Sequence, residues 1–206
     1  MSSVTEKIND DGRSTRWDEH RSARRQELAV AARKAVHLYG TDLSMDDIAT
    51  YAGTSKSIVY RYFVDKSGLQ RAVSEAVMQD IRETLREAVT TAPTPLQSVR
   101  AMVATYLEMI EHSPNVYHFV TRGASALPFL DEMIEVAAIP YAREHDTSPA
   151  AASAWAAGAV GFVQGTGEWW LANGDAPENP SRTEMTESIT AWLWNGPAVA
   201  TQRSEP

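Results

Sequence analysis

The chain has 206 residues, of which 43% are apolar and 22% charged, with a formal net charge of −8 and no cysteine. That balance belongs to a globular protein rather than a disordered one, and it excludes a disulfide framework and thiolate chemistry. No apolar h-region precedes Trp17, and the most apolar stretch, residues 150–171, is Ala- and Gly-rich and carries Gln164 and Glu168; the expectation is a soluble, cytoplasmic protein without a membrane span.

In chain order, residues 1–17 read as a polar tail. Apolar positions Leu28, Ala31, Ala32, Ala35 and Leu38 then recur at helical spacing, so 18–38 is expected to form an amphipathic helix closed by Gly40. Ser44 followed by Asp46 and Asp47 marks the start of a short second helix, because the hydroxyl caps free N–H groups and the acids suit the positive end of the dipole. A third short helix is expected from about Ser55 to Tyr62, and Asp65 caps a long fourth from Lys66 to about Val89. Beyond the breaker Thr91-Ala-Pro-Thr-Pro95, helices are expected over 96–112, 114–122, 127–142, 149–172 and 181–195. No strand and no internal repeat is legible. The fold class is therefore all-α with about nine helices: an N-terminal three-helix head (18–65), a C-terminal helical bundle (66–197) and a C-terminal tail (198–206).

The net charge hides an asymmetry. Residues 1–66 hold 11 basic against 10 acidic side chains, including all four lysines, whereas 67–206 hold 8 against 17. Contacts to phosphate need positive charge locally, since exposed charges are screened within about 8 Å at physiological salt. An acidic body would leave the head as the docking surface for a polyanion.

The segment Met45 to Phe63 meets the demands of two short helices crossing through a tight turn. Ala49 supplies a small residue at the crossing, Gly53 tolerates a positive φ in the turn, and Val59 returns an apolar residue beside Ile58 to the buried face of Ile48 and Ala52. The second of these helices is left free to present Thr54, Ser55, Lys56, Ser57, Tyr60, Arg61 and Tyr62, polar groups concentrated at its start and outer face. A helix entering a DNA major groove requires this arrangement. Arg21, Arg24 and Arg25 either flank the DNA backbone or form a solvated helix face.

The run Leu43 to Leu69, with Gly53-x-Ser55-Lys56, the pair Tyr60 and Phe63, and Lys66-x-x-Leu69, resembles the DNA-binding signature of the TetR (tetracycline-repressor) family over about residues 20–70. The resemblance implies that Ser44 and Thr54 through Ser57 contact DNA with Tyr60 and Tyr62 nearby, and that Lys66 meets a backbone phosphate. It also implies that the last two long helices pair across a homodimer axis, so that the partner is a (pseudo)palindromic double-stranded operator.

The body offers matching features. Ala151, Ala154, Gly158, Gly161, Gly165 and Ala172 recur along one side of the eighth helix. Interior glycines cost about 1 kcal/mol each relative to alanine, which points to close helix approach, and Met185, Ile189 and Trp192 of the last helix are expected to join that dimer face. A second stripe, Trp155, Ala159, Phe162, Thr166 and Trp169, with Met102, Tyr106, Met109, Ile110, Tyr117, Val120, Phe129 and Met133, is expected to line a cavity for a small hydrophobic effector such as an acyl chain or acyl-CoA. An enzyme is the rival class. His112, His118 and His145 with Glu108 and Glu111 match no metal-ligand spacing, and Gly165-Thr-Gly167 is followed by no Gly-Lys-Ser/Thr. No catalytic residue, metal or cofactor is expected. A helical adaptor binding protein through its acidic body is a further alternative.

Overall fold

The computed structural model describes residues 3–121, 126–174 and 176–196, and the side chains of residues 3–16, 18 and 126–129 fall outside that description. The described residues form nine helices and no strand: α1 (Ser3–Tyr39), α2 (Met45–Tyr51), α3 (Lys56–Phe63), α4 (Lys66–Thr91), α5 (Pro95–His112), α6 (Pro114–Thr121), α7 (Ala126–His145), α8 (Pro149–Ala172) and α9 (Arg182–Asn195). Side-chain caps start most of them. Asp65 accepts the Gly68 N–H at 2.7 Å at the head of α4. Thr94 and Ser148 cap α5 and α8, each with proline in the first turn, and Ser181 forms a capping box with Glu184 at α9.

Two boundaries depart from expectation. The first helix begins at Ser3 rather than after Trp17, so part of the expected tail is helical; polarity says that a segment is solvated, not that it is irregular, and 3–17 contains no proline. Helix α7 runs through Pro140 to His145. Pro140 is fully buried, and packing of Val136 and Ala137 on the same side holds the helix together where its ladder lacks a donor. The C-terminal tail 198–206 lies outside the described residues.

The head is not closed by its own three helices. Its core joins Leu28, Ala32 and Val36 of α1, Ile48 and Ala49 of α2 and Val59 and Phe63 of α3 to Leu69, Val73 and Val77 of α4 and Val116, Phe119 and Val120 of α6. So short an assembly buries too little apolar surface alone, at roughly 1.5–3 kcal/mol per fully buried Val, Leu or Phe. Body helices complete it, and the expected division at residue 65 cuts through one continuous core. Polar contacts reinforce the joint: Gln70 Nε2 donates to the Phe119 carbonyl at 2.5 Å, Asn115 Nδ2 to the His37 carbonyl at 3.1 Å, and the His37 and His112 rings stack at 5.5 Å.

A second cluster packs α5 against α8 and α9 through Val99, Val103, Leu107, Ile110, Trp170, Met185 and Ile189. Gly167 lets α8 approach α5 closely, since a Cβ there would sit 2.6 Å from the Tyr106 ring.

The link between α3 and α4 is strained. Val64 has φ +64° and ψ −53°, with Asp65 N donating to the Phe63 carbonyl at 2.6 Å, the strained hand of the γ-turn in a β-branched residue. The side chain is 77% exposed, so no packing repays that strain. Val64→Gly is expected to raise stability by about 0.5–1 kcal/mol, the strain relieved exceeding the entropy glycine adds to the unfolded chain. Urea unfolding measures it, and a lower midpoint would contradict the strained assignment.

Candidate nucleic-acid interface and ligand cavity

The crossing of α2 and α3 follows from three residues. Ala49 is buried at the contact, Gly53 takes φ +61°, and the Thr54 N–H turns back to the Ala49 carbonyl at 3.0 Å, closing the end of α2. Val59 is fully buried against them. With that side of α3 anchored, the other faces solvent.

Ser55 is the N-cap of α3 but its side chain caps no N–H; its hydroxyl pairs with that of Ser57 at 3.0 Å instead. The first N–H groups of α3 thus lack a side-chain cap and lie at the positive end of the helix dipole, a favourable place for phosphate. Lys56, Ser57 and Arg61 are exposed, Tyr60 is 40% exposed, and Thr54 and Tyr62 are half-buried, Tyr62 also packing on the head core.

The cations on this face are held by local partners. Lys56 Nζ lies 2.7 Å from Asp46 and 5.7 Å from the Tyr60 ring centre, and the Asp46 carboxylate raises the lysine's pKa above its ordinary value. Arg61 stacks over Tyr62 at 5.5 Å, and Lys66 reaches the Thr41 carbonyl at 3.4 Å. Water and salt screen such exposed contacts, so these cations can exchange their partners for phosphate. Ser44 is engaged differently: its hydroxyl and N–H both donate to Asp47, at 2.6 and 2.9 Å, which holds the Asp47 carboxyl below the usual range. Its place is the cap of α2, at the edge of the face. Arg24 pairs with Glu27, and Arg25 with Glu75 and the Phe63 ring, so both meet protein partners; Arg21 is exposed.

In the body, a cavity of about 150 Å³ lies among α4, α5, α7 and α8. Met102, Tyr106, Met109, Tyr117, Met133 and Trp155 line it, as the sequence pattern suggests. The described wall also includes Ile81 and Leu85 of α4, Val163 and Gln164 of α8, and Leu193 of α9, which the pattern did not single out. A second, more polar chamber of about 380 Å³ opens beside it, sharing Ile81, Thr105, Met109, Tyr117 and Thr121 and adding Arg33, Asp80, Glu108 and His112.

Several expected positions fall elsewhere. Val120 is buried in the head core and borders only the polar chamber, because α6 turns that face towards α1 and α4. Phe162 and Trp169 are exposed and Thr166 is absent from the cavity wall. Helix α8 is apolar almost all round, so periodicity left its inward face undefined; Ala159 of the expected stripe does line the cavity, but contact with α5 and α7 buries Ala152, Ala156 and Trp170 in place of the others, and Ile110 is buried in the core between α5 and α9. The side chain of Phe129 lies outside the described residues. Met185 and Ile189 are buried against α5 within the chain, and so do not form a free dimer face. Trp192 is half-buried and meets the Phe162 ring edge-on at 5.8 Å.

The small-residue stripe does face outward. Ala154, Gly158, Gly161 and Gly165 are exposed, and a Cβ added at any of the three glycines meets nothing within 4 Å.

From the cavity wall a chain of polar groups runs out to the surface of α8. Tyr106 Oη donates to Tyr117 Oη at 3.2 Å, and Tyr117 Oη donates to Glu168 at 2.5 Å. Burial, and then the hydrogen bond to Glu168, pushes the Tyr117 hydroxyl up to about 12, while burial and Tyr117 push Tyr106 up further. Both therefore stay protonated in any neutral buffer. Among the described residues no group of three or more His, Asp or Glu is placed to hold a metal, and no helix is long and apolar enough to cross a membrane.

Comparison with known proteins agrees with this geometry. The family model "Bacterial regulatory proteins, tetR family" matches residues 28–73, from mid-α1 into α4. An uncharacterized HTH-type transcriptional regulator of Mycobacterium tuberculosis is 28% identical over 198 residues, covering 91% of this chain and 83% of its own. The HTH-type transcriptional activator FasR of Mycolicibacterium smegmatis is 26% identical, covering 85% and 84%. In three dimensions, a tetR-family transcriptional regulator from Streptomyces coelicolor superposes with TM-score 0.68 at 19% identity, covering 85% of this chain and 83% of its own. The signature and the crossing of α2 and α3 over residues 28–73, and the all-α fold over most of the chain, thus agree with those of tetR-family transcriptional regulators.

Proposed function

We propose that the chain acts as a homodimeric repressor that binds a (pseudo)palindromic operator through α3 and is released by a small hydrophobic effector held in the body. Helix α4 carries this reading, because it meets both ends of the mechanism. Its first turn packs on the last turn of α3 at Gly68, and further along Ile81 and Leu85 form cavity wall. A ligand that binds better to one setting of α4 shifts the separation of the two heads, and hence their match to successive major grooves about 34 Å apart. The exposed stripe of α8, flanked by Phe162 and Trp169, supports pairing of two chains, since so apolar a face is seldom left in water. The polar face of α3, with Thr54 to Ser57, Tyr60, Arg61, Tyr62 and Lys66, supplies the contacts to DNA. Ser44 adds its edge.

The FasR relative is named an activator, which favours a second reading in which the same DNA-bound dimer promotes transcription. Transcription in vitro from the promoter upstream of the chain's own gene separates the two: a repressor lowers the yield and effector restores it, and an activator raises it.

Gel shift against the same upstream DNA tests the interface. Lys56→Ala is expected to weaken binding about three- to tenfold on every sequence and to reduce the salt slope by about 1, as loss of one phosphate contact does. Tyr60→Ala is expected to weaken specific binding more than non-specific binding. Wild-type affinity and salt slope in both variants would remove α3 from the interface.

A further inference from the structure

The apolar cavity, at about 150 Å³, is well below the size common among ligand sites, about 300–1,000 Å³, so an effector of ordinary size enters only if a wall moves. Two of its seams are closely packed, and parting them loses contact along the whole approach. Helix α8 meets α5 at Gly167, where an added Cβ would lie 2.6 Å from the Tyr106 ring, and meets α7 through the Tyr141 and Trp155 rings, stacked at 4.3 Å. Helix α4 is placed differently. Ile81 borders space on two sides, the apolar cavity and the polar chamber, with Leu85 on the first and Asp80 and Thr84 on the second. This stretch is held to α7 by Leu85 and Val89 packed with Met133 and Val136, and by a clasp of charge beside them. Arg82 Nε donates to Glu132 at 2.8 Å, and a second guanidinium nitrogen reaches the same carboxylate oxygen. Arg82 also donates to Gln79 at 2.6 Å, which steadies the guanidinium on α4. With side chains 23% and 39% exposed, this is the most sheltered ion pair among the described residues, so water and salt screen it least. It adjoins the cavity wall on both helices: Arg82 follows Ile81, and Glu132 precedes Met133.

Resting on the reading above of an effector that releases DNA, we propose that the Arg82–Glu132 pair is the latch of the cavity. Closed, it holds α4 against α7 and keeps the cavity small. An effector too large for that volume parts the two helices and takes Arg82 away from Glu132. Because α4 also meets α3 at Gly68, the latch sets the balance between the setting of the heads that fits DNA and the setting that holds effector. A change that weakens only the closed setting then acts with opposite signs on two ligands, lowering operator affinity and raising the affinity of bulky guests. Loss of an ion pair that merely stabilises the fold lowers both.

Calorimetric titration of the full-length protein with 1-pentanol and 1-octanol tests this. The first has as many heavy atoms as benzene, which cavities of this size take up, and the second adds three methylenes. Unhindered burial of those methylenes raises affinity about 60-fold. The wild-type ratio is expected to fall short of that by about tenfold, as giving up a charged hydrogen bond implies. Glu132→Gln, which keeps the shape of the side chain, and Arg82→Met are each expected to restore most of the ratio with 1-pentanol affinity unchanged. Gel shift on the upstream DNA should show operator affinity lower by about threefold or more in the same variants. The exchanged pair, Arg82→Glu with Glu132→Arg, should return both values towards wild type, and circular dichroism checks that each variant is folded. Folded variants that keep the wild-type octanol ratio, or in which octanol and operator affinity fall together, would overturn the latch while leaving an effector cavity in place. If neither alcohol binds any of the proteins, the effector reading itself fails.

Discussion

Gly68→Ala is expected to uncouple α3, the helix proposed to read DNA, from the body. A Cβ at this position would lie 1.9 Å from the Phe63 carbonyl oxygen and 3.0 Å from its carbon, with the Asp65 cap at 3.4 Å. The obstruction is backbone rather than the end of a flexible side chain, so α4 has to retreat from α3. That motion pulls Phe63 and Leu69, both buried, away from the head core and loosens the 2.7 Å bond from the Gly68 N–H to Asp65. Overpacking of this kind costs roughly 1–3 kcal/mol, equivalent to a melting temperature lower by about 2–12 °C in a chain of this size. Because the proposed docking of α3 on DNA is held in place through this contact, operator affinity should fall by about tenfold or more. Circular dichroism melting and gel shift read the two effects, and wild-type values in both would show that the approach of α3 to α4 is looser than described.

Gly161→Glu is expected to separate assembly from folding. The position lies mid-way along α8, exposed, with nothing within 4 Å of an added Cβ, so a side chain is accommodated within the single chain. Glutamate is also the better helix former, by roughly 0.5–1 kcal/mol. Should two chains pack stripe to stripe, however, a charged side chain from each would meet at the place of closest approach, desolvated and of like sign. Sedimentation is then expected to give a monomer with wild-type helicity. Operator affinity should drop about 10³-fold towards the non-specific level, because one head alone reads too few base pairs. A Gly161→Glu dimer that binds operator normally would place the interface elsewhere.

These two glycines mark the reach of pattern reading. Gly161 stands out in the chain because it belongs to a periodic stripe whose expense demands an explanation. Gly68 carries no such mark: only the position of the Phe63 carbonyl reveals why a side chain cannot stand there. The cavity divides the same way. Helix α5 has a distinct apolar face, so Met102, Tyr106 and Met109 could be assigned from spacing, whereas α8 is apolar almost all round and the placement of Phe162 and Trp169 failed. Glu168 read as an interruption of an apolar run, and its partnership with Tyr117, 51 positions earlier, has no local signal.

Local chemistry alone sufficed for the helices, their caps and the crossing of α2 and α3, because capping, turn geometry and small-residue contacts act over a few neighbouring positions. It took long-range packing to recruit α4 and α6 into the head, to choose which side of α8 and α9 is buried, and to turn Tyr106 and Tyr117 towards Glu168. Those outcomes depend on which surfaces compete for the same space, and side chains distant in the chain decide that competition together.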